Sequence, residues 1–315
     1  MPDLLLPEPL ASGDKVALIA PCMPVLPERL EYAAQFIDGL GYTPEIYPSC
    51  RARVGFLAGD DELRAGDINR AFADPEIRAV VVVRGGYGSA RLFELLDYDT
   101  IKSNPKIFTG FSDATVLHIL LNQRCGLATF HAPMPAAANF RDDEFTHQSL
   151  ADTLAGRWEC EFDDSHLERN AGIPLKCVYE GRGEGILTGG NLTMIASTAG
   201  TPYQLDCRGK ILFLEDVGEF AYAIDRLLLH MRHSGILDGC RGIILGTWKD
   251  YQAPQDMPVD LTLRNALEPL NIPVIADFQC GHSVPSSFLP LGLRAGIISA
   301  KNGCRLFTGG IHAKK

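Results

Sequence analysis

The sequence predicts an α/β protein whose first half is built on a parallel sheet. Three observations carry that expectation. Short apolar runs alternate with stretches of helical periodicity, the run 79–83 (AVVVV) is apolar throughout like a central strand covered on both faces, and 315 residues suggest two domains of ~150 each. Segment 15–20 (KVALIA) is the first strand, and Pro27 opens a helix over 27–41. A strand over 43–47 and a helix over 60–73 follow; that helix starts on Asp60, Asp61 and Glu62, acidic side chains suited to the positive end of its dipole. The 79–83 strand leads through Arg84-Gly85-Gly86-Tyr87-Gly88 into a helix over 89–96. Segment 106–110 is a further strand closing on Gly110, followed by a turn at Ser112 and a helix whose apolar face is Val116, Leu117, Leu120 and Leu121. Segment 128–135 (ATFHAPMP) is a short strand entering a loop, with His131 at its end.

From 139 to 181 the chain turns polar and irregular, which predicts a helix and then a crossing between domains. The expected division is 1–165, a linker over 166–180, and a second domain over 181–315. That half opens on the glycine-rich 182–190 and a helix over 191–199. A strand over 210–214 (KILFL) ends at Glu215, and an amphipathic helix over 221–237 presents Ile224, Leu227, Leu228 and Met231. Segment 241–248 is a strand, 259–270 a helix, and 272–280 a strand terminating at Gly281-His282. Strands over 289–299 and 304–309 close the chain. No internal repeat at a fixed period is visible.

The net charge of -10, from 39 acidic against 29 basic residues without a long run of either sign, argues against nucleic acid or an anionic membrane as partner and favours a small-molecule or peptide substrate. The amino terminus MPDLLLPEPLASGDK lacks a basic region, and Pro7 and Pro9 break its apolar stretch, so no signal peptide is expected. No apolar segment approaches the ~20 residues that span a bilayer. Nine cysteines, odd in number and never in a CxxC pair, argue against a disulfide framework or zinc knuckle and point to reduced thiols in the cytoplasm.

Chemistry is expected at Ser112. A serine on a sharp strand-to-helix corner lifts its Oγ out of the sheet edge, while the helix start aims N–H groups at a developing oxyanion. Ala114 stands where the usual hydrolase elbow has its second glycine, and an ordinary N-cap is the competing reading. The turn Arg84 to Gly88 brings bare N–H groups to the same edge, where they serve a structural turn, a phosphate or an oxyanion; only a loose Gly86-x-Gly88 match to a dinucleotide fingerprint is present. His131 reads as a base or as a structural strand-end residue. Ser112, Glu215 and His282 each occupy a strand's carboxyl end, in the chain order of an α/β-hydrolase triad; taken singly, Glu215 is also a solvated carboxylate and His282 a turn residue.

Arg84-Gly85-Gly86-Tyr87-Gly88, Gly110-Phe111-Ser112-Asp113, Phe213-Leu214-Glu215-Asp216-Val217-Gly218-Glu219 and Gly281-His282, in order along nearly the whole chain, resemble the LD-carboxypeptidases, serine peptidases of the murein tetrapeptide carboxypeptidase and microcin-immunity type. The resemblance implies a parallel-sheet, Rossmann- or flavodoxin-like amino-terminal domain and a strand-rich α/β second domain. It implies a catalytic triad of Ser112, Glu215 and His282, an oxyanion hole from the N–H groups of Gly86 and Asp113, a homodimer, and neither cofactor nor metal. The expected reaction is release of terminal D-alanine from a murein-derived tetrapeptide through an acyl-enzyme, with Arg84 proposed for the substrate's carboxylate. The run Asp216-Val217-Gly218 looks closer to murein-recycling members than to those cleaving peptide-nucleotide antibiotics. Ala132 stands where the family usually has glycine. Self-immunity hydrolysis and a non-catalytic nucleotide- or anion-binding protein are the alternatives.

Overall fold

The computed structural model describes residues 4–138 and 140–309, in two compact units. The first runs to Trp158 and takes back Phe288–Gly292; the second holds Glu159–Ser287 and the chain from Leu293 onward. Residues 1–3 of the amino-terminal stretch lie outside the described residues.

In the first unit β1 (Lys15–Ile19), β2 (Thr43–Ile46), β3 (Ile77–Val82), β4 (Ile107–Gly110) and β5 (Thr129–His131) are parallel, in the order β5-β4-β3-β1-β2. The strand Leu289–Leu291 adds antiparallel to β5. The helices are α1 (Pro27–Gly39), α2 (Asp61–Ala73), α3 (Tyr98–Ser103), α4 (Thr115–Leu120) and α5 (Glu144–Leu154). Caps set three of their starts: Asp60 accepts from the Leu63 N–H at 2.8 Å, Asp97 from the Thr100 N–H at 3.0 Å and Asp143 from the Thr146 N–H at 2.7 Å. Buried Ile19, Ile68, Phe72, Val80, Phe108 and Leu117 join α2, the sheet and α4 in one core, each contributing about 1.5–3 kcal/mol.

The second unit is one eight-stranded sheet. Its strands are β6 (Cys160–Phe162), β7 (Lys176–Tyr179), β8 (Gly181–Asn191), β9 (Lys210–Val217), β10 (Gly242–Lys249) and β11 (Val274–Ala276), then, after β12 (the Leu289–Leu291 strand of the first unit), β13 (Arg294–Ser299) and β14 (Arg305–Thr308). Their order is β6-β14-β13-β8-β9-β10-β11-β7, with β8 to β11 parallel and the flanking strands antiparallel. The helices α6 (Leu192–Ser197), α7 (Ala221–His233) and α8 (Val259–Leu267) complete it.

Four expectations are corrected. The first unit ends at Trp158, and the expected linker 166–180 belongs to the second unit: β7 pairs with β11, and Asn170 Nδ2 donates to the Asp277 carbonyl at 3.0 Å while its Oδ1 accepts from the Gln279 N–H at 2.7 Å. The expected strand 289–299 is two strands in two sheets, separated at Gly292. The helix expected over 89–96 is a single 3-10 turn, Ser89–Leu92, whose first residue bonds to Asp113. Only 274–276 of the expected strand 272–280 joins the ladder. Among the described residues no helix is long and apolar enough to cross a membrane.

Candidate active site

The first unit brings two turns together at the carboxyl edge of its sheet. The β3–β4 ladder stops at Val81↔Thr109, and beyond it β3 runs into Arg84 to Gly88 while β4 runs into Phe111 and Ser112. Phe111 is extended, Ser112 adopts φ +63°, and Ser112–Ala114 forms a 3-10 turn leading into α4. A non-glycine residue in the left-handed region carries about 1–3 kcal/mol of strain, and such strain clusters where geometry serves chemistry. Gly85 lies directly against this corner: a methyl group there would stand 2.9 Å from Ser112 Cβ and 3.2 Å from Oγ. Gly86, at φ +116°, needs a conformation that side chains rarely adopt, and a methyl on it would lie 2.4 Å from Met23 Sδ. Among the described residues neither the Gly86 N–H nor the Asp113 N–H has a hydrogen-bond acceptor.

Arg84 is half-buried, and its Nη1 donates to the Pro24 carbonyl. Burial and then the charges of Arg29 and Arg53 pull its pKa below the ordinary value. His131 is buried at the end of β5 with its ring 5.6 Å from that of Phe111. The sequence reading passed over His118. It sits fully buried on α4, its Nε2–H donates to the Gly110 carbonyl at 2.9 Å, and Phe108 meets its ring edge-on. The strand end just before the Ser112 corner is thereby fixed from the helix behind it.

Burial lowers the His118 pKa to about 4. In the unfolded chain it titrates near ~6.5, so between these values the unfolded state binds the extra proton and stability falls as pH falls. We expect His118→Gln to lose less stability than the wild type on going from pH 7 to 5, by about 2 kcal/mol, read from urea midpoints. Parallel pH slopes in the two proteins would refute this.

The second unit brings Glu215 and His282 together. Glu215 stands near the end of β9, fully buried, and its Oε2 accepts from His282 Nδ1–H at 2.6 Å. Gly281, at φ +130°, lies flat on that carboxylate, since a methyl there would sit 2.7 Å from Oε2 and 2.8 Å from Thr247 Oγ1. Asn191, which the sequence reading missed, closes β8 in register with Glu215. Its Nδ2 donates to Glu215 Oε1 at 3.3 Å and to Asp216 Oδ1 at 2.9 Å. Asp216 also accepts from the Thr193 N–H and hydroxyl at 2.9 and 2.8 Å. The only signal for Asn191 was a polar residue after Gly189-Gly190 at a strand-to-helix turn.

Burial pulls the His282 pKa down, but the charge and hydrogen bond of Glu215, joined by the charge of Asp216, outweigh it and leave the imidazole above its ordinary value. With Nδ1–H held by Glu215, the other ring nitrogen is the one able to accept a proton. Among the described residues no cluster of three or more His, Cys, Asp or Glu could hold a metal ion.

Comparison with known proteins gives the class, a peptidase. The LD-carboxypeptidase N-terminal domain matches residues 16–132 and the LD-carboxypeptidase C-terminal domain residues 184–297, so the chain belongs to the LD-carboxypeptidase family. It is 36% identical over 301 residues to the probable murein peptide carboxypeptidase of Bacillus subtilis strain 168, covering 94% of this chain and 92% of that one. The crystal structure of a muramoyltetrapeptide carboxypeptidase from Oxalobacter formigenes superposes with a TM-score of 0.83 at 30% identity, over 94% of this chain and 99% of the other. The Escherichia coli microcin self-immunity protein MccF is 28% identical over 321 residues, 93% of each chain.

Proposed function

We propose that the protein is a serine-type LD-carboxypeptidase that releases the terminal D-alanine of murein tetrapeptide. The observation that carries this reading is the strained Ser112 corner with the glycine turn laid against it. In the proposed reaction His282 takes the Ser112 hydroxyl proton as Oγ attacks the amide carbonyl carbon, and the N–H groups of Gly86 and Asp113 hold the oxyanion. His282 then gives that proton to the departing amine of D-alanine, leaving an acyl-enzyme. Water attacks the ester, its proton passes to His282 and on to Oγ, and the shortened peptide leaves. Glu215 keeps Nδ1–H in place and stabilises the imidazolium. Arg84 is assigned to the substrate's terminal carboxylate, where its fork of donors suits a bidentate contact.

We assign it to the cytoplasm, as a homodimer acting on recycled murein peptides; nine cysteines, odd in number and without a CxxC pair, fit a reducing compartment. Greater identity to the murein peptide carboxypeptidase than to the self-immunity protein favours the murein substrate.

The purified protein should be incubated with murein tri-, tetra- and pentapeptides and with a peptidyl nucleotide, and the products identified by mass spectrometry. D-Alanine released from the tetrapeptide is expected. Hydrolysis of the peptidyl nucleotide alone would transfer the protein to the self-immunity class. Saturable binding of a nucleotide with no hydrolysis of any substrate would replace the enzyme by an anion-binding protein.

A further inference from the structure

We propose that Ser89 and the Asp113 side chain form a latch that sets the spacing of the two oxyanion donors, making both positioning residues for catalysis. The inference rests on the serine-peptidase reading above. It starts from where the sheet stops helping. The β3–β4 ladder ends at Val81↔Thr109, so backbone pairing does not hold the segment carrying Gly86 against the segment carrying Asp113. A donor displaced by even about 1 Å can cost 10²-fold in rate. Something past the strand ends must hold the two turns in register.

Ser89 and Asp113 do so with a pair of bonds, both donated by Ser89. The Ser89 N–H donates to Asp113 Oδ2 at 2.8 Å, and the Ser89 hydroxyl donates to the Asp113 carbonyl oxygen at 2.5 Å. Both residues are buried, at 0% and 1% exposure, so water does not compete for either bond. The glycine-turn side of the latch is itself anchored. Arg64, fully buried on α2, donates through Nη1 to the Gly88 carbonyl at 2.9 Å and to the Pro21 carbonyl, and through Nη2 to Asp61. Gly88 must be glycine for this: a methyl on it would stand 2.8 Å from Arg64 Nη1.

The arrangement is poorly explained as a stabilising device. Asp113 Oδ1 is buried with no nitrogen or oxygen partner among the described residues; only the Cys22 thiol, a weak donor, stands beside the carboxylate, and burial, then the Asp113 charge and its hydrogen bond, drive that thiol well above its ordinary pKa. A buried, half-satisfied carboxylate is costly to stability, and apolar packing would serve the fold better. What the carboxylate supplies is geometry. Its Oδ2 is committed to the buried Ser89 N–H, while its own backbone N–H is left as a donor.

The test uses the full-length protein and a fluorophosphonate, whose reaction forms the Ser112 Oγ–P bond, breaks P–F, releases fluoride and passes the hydroxyl proton to the base. The phosphonyl oxygen then occupies the oxyanion position whatever the natural substrate. Labelling at Ser112 is located by mass spectrometry, and rates are divided by the titrated concentration of reactive sites. Ser89→Ala and Asp113→Ala are expected to slow the saturated labelling rate by about 10- to 100-fold, with the half-saturating probe concentration changed less than about twofold. Asp113→Asn keeps an acceptor for the Ser89 N–H and should recover most of the rate. Labelling by Ser89→Ala at the wild-type rate would overturn the latch alone. A variant with no titratable sites would assign the pair to folding and overturn it as well. A wild type that is never labelled at Ser112 would overturn the serine-peptidase reading together with it.

Discussion

Replacing Ser112 by alanine is expected to lower kcat by about 10⁴- to 10⁶-fold while leaving the fold and its melting temperature intact. The size of the loss follows from the chemistry. Without Oγ no acyl-enzyme forms, and what remains is the binding and oxyanion stabilisation of an unassisted water attack. Stability is unaffected because alanine is smaller than serine and fits the same corner, and because it carries the same backbone strain at φ +63°. Ser112→Gly separates the two effects. It should be as inactive as the alanine variant but no less stable, because glycine adopts positive φ without the ~1–2 kcal/mol that a side chain costs there, which offsets its larger unfolded-state entropy. Turnover of murein tetrapeptide and thermal unfolding are the measurements. Full activity in Ser112→Ala would remove Ser112 as nucleophile.

The corner and the glycine turn were legible because each occurs where an apolar run gives way, within two or three residues, to glycine and small polar residues. That signal is local, and local signals survive in a single sequence. Strand β8 was hidden for the opposite reason. Its glycines carry little β-propensity and gave no strand, yet at Gly189 a methyl would stand 2.0 Å from the Phe213 carbonyl oxygen, so glycine is required by the neighbouring strand, far off in sequence. The strand β7 was read as a linker because its partner β11 is likewise distant. His118 went unread inside an apolar helical face: its role is one hydrogen bond to a carbonyl, and only coordinates show which carbonyl. Asn191 shares that limit, since its value lies in register with Glu215. The roles proposed for Ser112, Glu215 and His282 rest on the motifs and their family resemblance, and composition alone would have left them as a cap, a carboxylate and a turn.

Glu215→Gln is expected to cost about 10³- to 10⁴-fold in kcat and to move the acid limb of the pH profile downward. The direction follows from the groups that face His282. In the wild type burial opposes the imidazolium, while the charge and hydrogen bond of Glu215 and the charge of Asp216 favour it, and the balance leaves the pKa raised. A general base must be neutral to accept the serine proton, so kcat/KM rises with pH as His282 loses its proton, along a limb lying above the ordinary ~6.5 of histidine. Removing the Glu215 charge leaves burial the larger influence, and the limb falls to lower pH. The plateau drops for a separate reason. An amide at 215 can donate to Nδ1 and place the ring proton on Nε2, the atom that must be bare to take the proton from Ser112. Glu215→Asp keeps the charge but shortens its reach beyond the 2.6 Å contact, so it should retain a raised limb with an intermediate rate. Profiles of kcat/KM between pH 5 and 9 distinguish the three proteins. A Glu215→Gln limb at the wild-type pH, with an undiminished plateau, would show that this carboxylate neither orients nor charges the base.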